Sequence, residues 1–227
     1  MKLLFLNAWQ GTVKSKIDNF IREKSLEIDF FCFQEAAKSK KWLFKDLLAD
    51  YRLVTDDKYI SNSNKFFQAT YINKAFEVKQ VTTLLKKELD TGLVLCTSFQ
   101  FGNKILTVCN VHGIATPGNK MDTAGRLKQS EEIIDFLKKI DGPKIVGGDF
   151  NLEFDTQSVK MFEKNGYRNL IKEYKIKTTR NRLSWERFPK KQYFADYVFV
   201  SSDVKVLNFS VPNIEISDHL PQILEIE

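Results

Sequence analysis

Cysteine is scarce in this 227-residue chain. The three residues, Cys32, Cys96 and Cys109, are odd in number, far apart and set in apolar runs (FFCFQ, LVLCTS, LTVCNV). That pattern argues against disulfides and against a cysteine metal site, and predicts buried free thiols on strands in a reducing compartment. Long hydrophobic runs are missing, so no membrane span is expected. The opening run MKLLFL is too short for the apolar part of a signal peptide, and Asn7 interrupts it. The expected location is therefore intracellular, a soluble cytoplasmic protein. Proline (5) and glycine (10) are few, and no linker, repeat or low-complexity tract divides the chain. Residues 1–227 are expected to form a single domain. Charge of one sign is not extreme: the net charge is +6, compatible with a polyanionic partner without specifying one. Histidine is the rarest chemistry-bearing residue, with two copies, His112 and His219.

What the chain has is apolar material, 43% hydrophobic with 19 Phe, ample for a large core. Short apolar runs read as strands at Lys2–Leu6, Phe30–Phe33, Tyr51–Thr55, Phe67–Ile72, Phe76–Thr83, Gly92–Phe101, Lys104–Val111, Ile145–Val146, Ala195–Val200, Val204–Phe209 and Gln222–Ile226. Helical spacing predicts helices over Val13–Lys24, around Trp42, Leu43 and Leu47, over Asp122–Ile140 with a stripe of Ala124, Leu127, Ile134 and Leu137, and over Asp155–Lys164. Strands with interspersed helices and no boundary give an α/β fold class.

The polar residues collect where the apolar runs end. Asn7 closes the first strand, Gln34-Glu35 the second, and Asn110-Val111-His112 the second arm of a hairpin. Lys144–Asn151 (KIVGGDFN) opens from a buried strand into Asp149 and Asn151, two residues apart and so on one face. Asp196 lies within Ala195–Phe199, and Ser217-Asp218-His219-Leu220-Pro221 precedes the last strand. Each is an ordinary turn or core residue if taken alone. Glu35 and Asp196 are the harder ones to dismiss, because a carboxylate flanked by apolar residues needs a partner. Strand ends of one sheet can converge on one rim, where ligands commonly bind.

Together these residues resemble the endonuclease/exonuclease/phosphatase superfamily, with its deoxyribonuclease-I-like fold. The most specific pieces are Gly148-Asp149-Phe150-Asn151 and Ser217–Pro221, supported by Phe33-Gln34-Glu35 and Asn110-Val111-His112. The resemblance implies a four-layer sandwich of two mixed β-sheets flanked by α-helices. It implies a Mg²⁺-dependent phosphodiesterase, with Mn²⁺ as a substitute, in which an activated water attacks the phosphorus directly. Glu35 is the hard oxygen ligand expected for the metal, with Asn7 and Asp218 completing or supporting that site. Asp149 is the expected general base, Asn151 a hydrogen-bond donor to the phosphate, and His219 a contact to the scissile phosphate held by Asp196. His112 is the second histidine. Gly113 follows His112 where a leucine is common in the family.

Substrate is less legible. Residues 172–191 hold eight basic residues against two acidic ones, which equals the net charge of the whole chain. Tyr174, Trp185 and Phe188 are interleaved, as in tracks that bind single-stranded nucleic acid. Arg180, Arg182 and Trp185 from this stretch are expected to bind substrate. Arg126, opening the long helix, is expected to touch substrate phosphate. The expected substrate is DNA or RNA and the expected state a monomer. The rival readings are hydrolysis of a small or lipid phosphate ester and a non-catalytic binding module of the same fold.

Overall fold

The computed structural model describes residues 1–38, 41–55, 68–85, 93–187 and 190–227. Fourteen strands are named among them: β1 (Lys2–Asn7), β2 (Phe30–Gln34), β3 (Ala37–Lys38), β4 (Lys41–Trp42), β5 (Tyr51–Val54), β6 (Ala69–Asn73), β7 (Val78–Leu84), β8 (Val94–Phe101), β9 (Lys104–His112), β10 (Lys144–Asp149), β11 (Arg168–Asn169), β12 (Asp196–Val200), β13 (Val206–Ser210) and β14 (Gln222–Ile226). The helices are α1 (Lys14–Lys24), α2 (Ala124–Lys138), α3 (Gln157–Lys164), α4 (Leu170–Glu173) and α5 (Arg182–Trp185). Predicted strand residues Phe67 and Gly92 and the predicted track residue Phe188 lie outside the described residues.

Two six-stranded sheets form, in the orders β13-β14-β1-β2-β6-β5 and β11-β12-β10-β9-β8-β7. Each is mixed. β1 runs parallel to β2, and β9 parallel to β10, while the other pairs are antiparallel. Alternation along β1 shows how the layers arise. Leu3 and Phe5 join the core between the sheets, whereas Leu4 and Leu6 join a second core on the outer face, under Ile17 and Ile21 of α1. Phe30 stacks on Phe99 of the opposite sheet, ring centroids 4.4 Å apart. The four-layer α/β sandwich expected from the sequence is what forms.

A buried amide cluster ties the sheets together beneath the strand ends. Gln34 Nε2 donates to Asn110 Oδ1 (2.6 Å), and Asn110 Nδ2 donates to the carbonyls of Phe33 (3.1 Å) and Ala69 (3.2 Å). Buried polar groups are tolerated when paired in this way. Gly148 sits at φ +130, and a Cβ there would stand 2.2 Å from the Val111 carbonyl oxygen, so the β9–β10 ladder requires glycine at that point.

Three expectations need correction. Cys96 and Cys109 are not free thiols. They face each other in the β8–β9 register and form a disulfide, because a hairpin brings together residues that linear spacing kept apart. The thiol-based argument for a reducing compartment loses its support. Cys32 is free and buried, and burial pushes its thiol up to about 12. The helix expected around Trp42–Leu47 is instead β4 followed by turns, with Phe44 and Leu48 as the buried pair. In α2 the predicted stripe is only half right. Ile134 and Leu137 are buried, but Ala124 is exposed, and the first two turns bury Arg126, Gln129 and Ser130. That half of the helix packs on a loop, whose carbonyls and amides need polar partners.

Candidate active site

Register assembles the site. In the second sheet, Asp149 pairs across to His112 on β9 and to Asp196 on β12, so the three occupy one row. In the first sheet, Asn7 pairs with Gln34, which places Glu35 one residue beyond the end of the parallel pair. The two rims meet where Asn7 Nδ2 donates to Asp149 Oδ2 (2.9 Å) and lies 3.3 Å from Glu35 Oε1. The loop before β14 brings Asp218 and His219 to the same point, bridged through His219 to Arg180.

The pocket at this rim has a volume of about 400 Å³ and is walled by Glu35, His112, Lys120, Asp149, Asn151, Arg180, Arg187, Asp218 and His219, with Trp9 at its edge. Backbone strain concentrates there. Of the seven non-glycine residues with positive φ among the described residues, five line the pocket: Trp9, Gln10, Glu35, Lys120 and Asn151. Such conformations persist only where surrounding structure enforces them, and they cluster at functional sites.

Asp149 is buried, with Oδ1 accepting the Asn151 amide (2.9 Å) and Oδ2 accepting Asn7. Burial pushes its pKa up, but the electrostatic pull of the surrounding His219, Lys120, His112 and Arg180 outweighs burial and holds the carboxyl well below the usual carboxylate range. Its Oδ2 is 3.9 Å from His112 Nε2 and 3.7 Å from His219 Nε2. Behind His219, both oxygens of Asp196 face Nδ1, at 2.8 and 2.9 Å. Burial raises the Asp196 pKa against the pull of His219. Arg180 Nη1 donates to His219 Nε2 (2.8 Å), which puts the ring proton on Nδ1, toward Asp196. Burial and Arg180 lower the His219 pKa, and Asp196, Asp149 and Asp218 outweigh them, so the net shift is upward.

Two groups of side chains bear on metal binding. Atoms of Asp149, Asp196 and His219 lie within 4.8 Å of one another, but Asp196 directs both oxygens at His219 Nδ1 and does not line the pocket. Glu35, half-buried on the pocket wall beside Asn7, offers oxygen donors of the kind that suit a hard divalent cation. Asp218 is also at the wall, with Oδ2 3.2 Å from Arg180 Nη2 and 3.5 Å from Arg187 Nη1. The residues present therefore fit a cation at the Glu35 side.

The predicted substrate residues separate. Arg180 lines the pocket and is 3% exposed, its guanidinium braced by Ser184 Oγ. Arg182 does not reach it: it is exposed and pairs with Glu215 (2.9 Å) and Glu186. Trp185 is outside it too, donating Nε1 to the Gln192 carbonyl (2.8 Å) beneath Lys191. Arg126 is fully buried, and each of its three guanidinium nitrogens donates to a main-chain carbonyl. Charge clustered in sequence scattered over different faces once α4 and α5 formed. Among the charged pocket residues, Lys120, in a Gly-Asn-Lys turn, carries no signal in the sequence, and Arg187, counted in the basic stretch but not singled out, lies with its guanidinium 4.7 Å over the Trp9 ring. Gly113, the departure from the family pattern, is explained by packing. A Cβ there would stand 2.2 Å from the Phe150 carbonyl oxygen.

The endonuclease/exonuclease/phosphatase family model matches residues 5–219. The chain belongs to that family, one of phosphoester hydrolases. Among solved structures, similar folds include a family protein from Leptotrichia buccalis (18% identity, 100% of this chain and 99% of that one, TM-score 0.74). They also include the mannosyl-6-phosphatase of Bacteroides thetaiotaomicron (15%, 100% and 99%, 0.74) and truncated TDP2 of Caenorhabditis elegans (15%, 99% and 96%, 0.75). At these identities the likeness shows the deoxyribonuclease-I-like fold. No curated protein matches the chain. No helix among the described residues is long and apolar enough to cross a membrane.

Proposed function

We propose that this protein hydrolyses phosphoester bonds with a divalent cation, Mg²⁺ or Mn²⁺, by direct attack of water. The observation that carries the reading is the buried Asp149 carboxyl group, fixed by Asn7 and the Asn151 amide and flanked by both histidines. Asp149 orients the attacking water and takes its proton. Asn151 and His219 hold phosphoryl oxygens, and Asp196 keeps His219 in orientation. A phosphoryl oxygen that draws Arg180 away from Nε2 leaves three carboxylates to favour the protonated ring, which then donates to that oxygen. His112 faces the same point from β9. Glu35, with Asn7 and Asp218 nearby, would hold the cation, whose chemistry is to offset charge developing on the phosphoryl oxygens. The chain acts as a single domain and a monomer in this reading.

The pocket favours an ester that presents one phosphoryl group. The basic stretch that suggested nucleic acid contributes Arg180 and Arg187 to the pocket walls, while Arg182 and Trp185 stand apart. Nucleic acid remains a second reading, favoured by the Trp9 ring under Arg187, a surface on which a base can stack. The TDP2 and mannosyl-6-phosphatase likenesses support hydrolysis of a phosphate ester on either reading. The test is incubation with labelled single- and double-stranded DNA and RNA and a panel of phosphate monoesters, with Mg²⁺, Mn²⁺ or EDTA. Turnover of at least one ester, abolished by EDTA, is expected; hydrolysis unaffected by EDTA would remove the cation. Within the basic stretch, Arg180→Ala is expected to lower kcat/KM about a hundredfold, whereas Arg182→Ala should leave it within about twofold, since it breaks only surface ion pairs. Equal losses would restore the extended track.

A further inference from the structure

The segment between β9 and α2, residues 113–123, is held by polar partners, two of them, Arg126 and Gln129, buried. Arg126 donates Nε to the Ile114 carbonyl (3.1 Å), Nη1 to Met121 (2.5 Å) and Nη2 to Pro117 (2.6 Å). Gln129 Oε1 accepts the Ile114 amide (3.0 Å). The Asp122 carboxylate accepts the Gln157 and Ser158 amides (2.6 and 2.9 Å), and so caps α3 from a distance. The Glu153 amide donates to the Lys120 carbonyl (2.8 Å), and Gln192 Nε2 donates to that of Gly118 (2.5 Å). A buried guanidinium is costly unless fully compensated, and here its compensation is the loop itself. What the arrangement fixes is Lys120.

Lys120 sits at φ +58, a conformation most residues avoid, and its side chain is buried. Among the described residues, the hydrogen-bond acceptor of its Nζ is Asn151 Oδ1. An ammonium carries three donors, so two are left at the pocket wall. Across the pocket, Arg180 touches His219 as Lys120 touches Asn151. The two cations therefore flank the two side chains that hold phosphoryl oxygens in the reading above.

We propose that Lys120 is a substrate-binding residue which, with Arg180, grips the non-bridging oxygens of a terminal phosphate, making this a phosphomonoester site. The inference rests on the phosphoester reading. An internal diester presents two non-bridging oxygens and one charge. A terminal phosphate presents three acceptor oxygens and close to two charges, which matches donors converging from Lys120, Arg180, Asn151 and His219. A sugar phosphate and the phosphorylated end of an oligonucleotide share this chemistry.

The test begins with inorganic phosphate binding in EDTA, followed by calorimetry on the wild type, Lys120→Met and Lys120→Gln, with thermal melts as the check on folding. Either folded variant should bind phosphate about tenfold or more weakly, the loss of a charge-assisted contact; unchanged affinity would overturn the proposal. The second measurement is kcat/KM with Mg²⁺ for a sugar phosphate, a 5′-phosphorylated oligonucleotide and bis-p-nitrophenyl phosphate. The folded variants should lose about a hundredfold on the terminal phosphates and less than about threefold on the diester. Equal loss on both would overturn the terminal-phosphate assignment, and the two terminal substrates show which source is used. If the wild type cleaves no ester while phosphate binding still depends on Lys120, the reaction is misread and the subsite stands. If esters are cleaved and neither binding nor turnover depends on Lys120, the reaction stands and the subsite falls.

Discussion

Asp149→Asn is expected to lower kcat by about a thousandfold or more while leaving the protein folded. The carboxylate is the anion at which the buried positive side of the pocket is aimed, and those groups keep it ionised in spite of burial. Asparagine has nearly the same shape but accepts no proton, and it presents an N–H₂ to one of two partners that already donate, Asn7 Nδ2 or the Asn151 amide. One of those contacts must break, costing about 1–3 kcal/mol of stability, which a melting curve will register without loss of the fold. Binding should survive better than turnover, because Lys120, Arg180 and His219 remain. The measurement is kcat and KM on whichever ester the substrate panel yields, alongside the melt. A folded variant that keeps a tenth or more of wild-type kcat would mean that the water is activated elsewhere, with His112 as the next group to examine.

The convergence of the candidate site residues was largely legible in the sequence because they lie where apolar strands stop. Parallel pairing of β1 with β2 and of β9 with β10 puts those stops at one rim, so Asn7, Glu35, His112 and Asp149 converge without any long-range code to decipher. What could not be read is whatever depends on facing. Arg126 looks like any helix-surface arginine, and only the loop packed against it makes it a buried clamp. Lys120 gives no signal at all, since its place at the pocket wall comes from a backbone conformation and from a partner 31 residues away. The basic stretch divides for the same reason. Linear charge density says nothing about direction, and Arg180 turned inward to His219 while Arg182 turned outward to Glu215. Cys96 and Cys109 belong to this class as well, being joined by a hairpin register.

Phe150→Ala is expected to destabilise the protein by about 3–5 kcal/mol, the range for deleting a large buried aromatic side chain. Asp149 and Asn151 face the pocket, so the residue between them must face the interior, and its ring is fully buried. It packs edge-on against Phe162, Tyr197 and Phe199, with ring centroids 5.5, 5.8 and 5.5 Å away. Its amide donates to the Ala195 carbonyl (2.8 Å), next to Asp196. The ring thus anchors the turn that aims Asp149 and Asn151 into the pocket, and on the proposed function its removal should cost activity as well as stability, even in the fraction still folded. Urea unfolding of the variant, with kcat measured well below its midpoint, separates the two effects. A stability loss below about 1 kcal/mol, the size of an average substitution, would show that the turn is held by its backbone contacts, chiefly the Gly113 amide on the Asp149 carbonyl at 2.6 Å. A large stability loss with unchanged kcat would show that the pocket orders itself independently of the aromatic cluster beneath it.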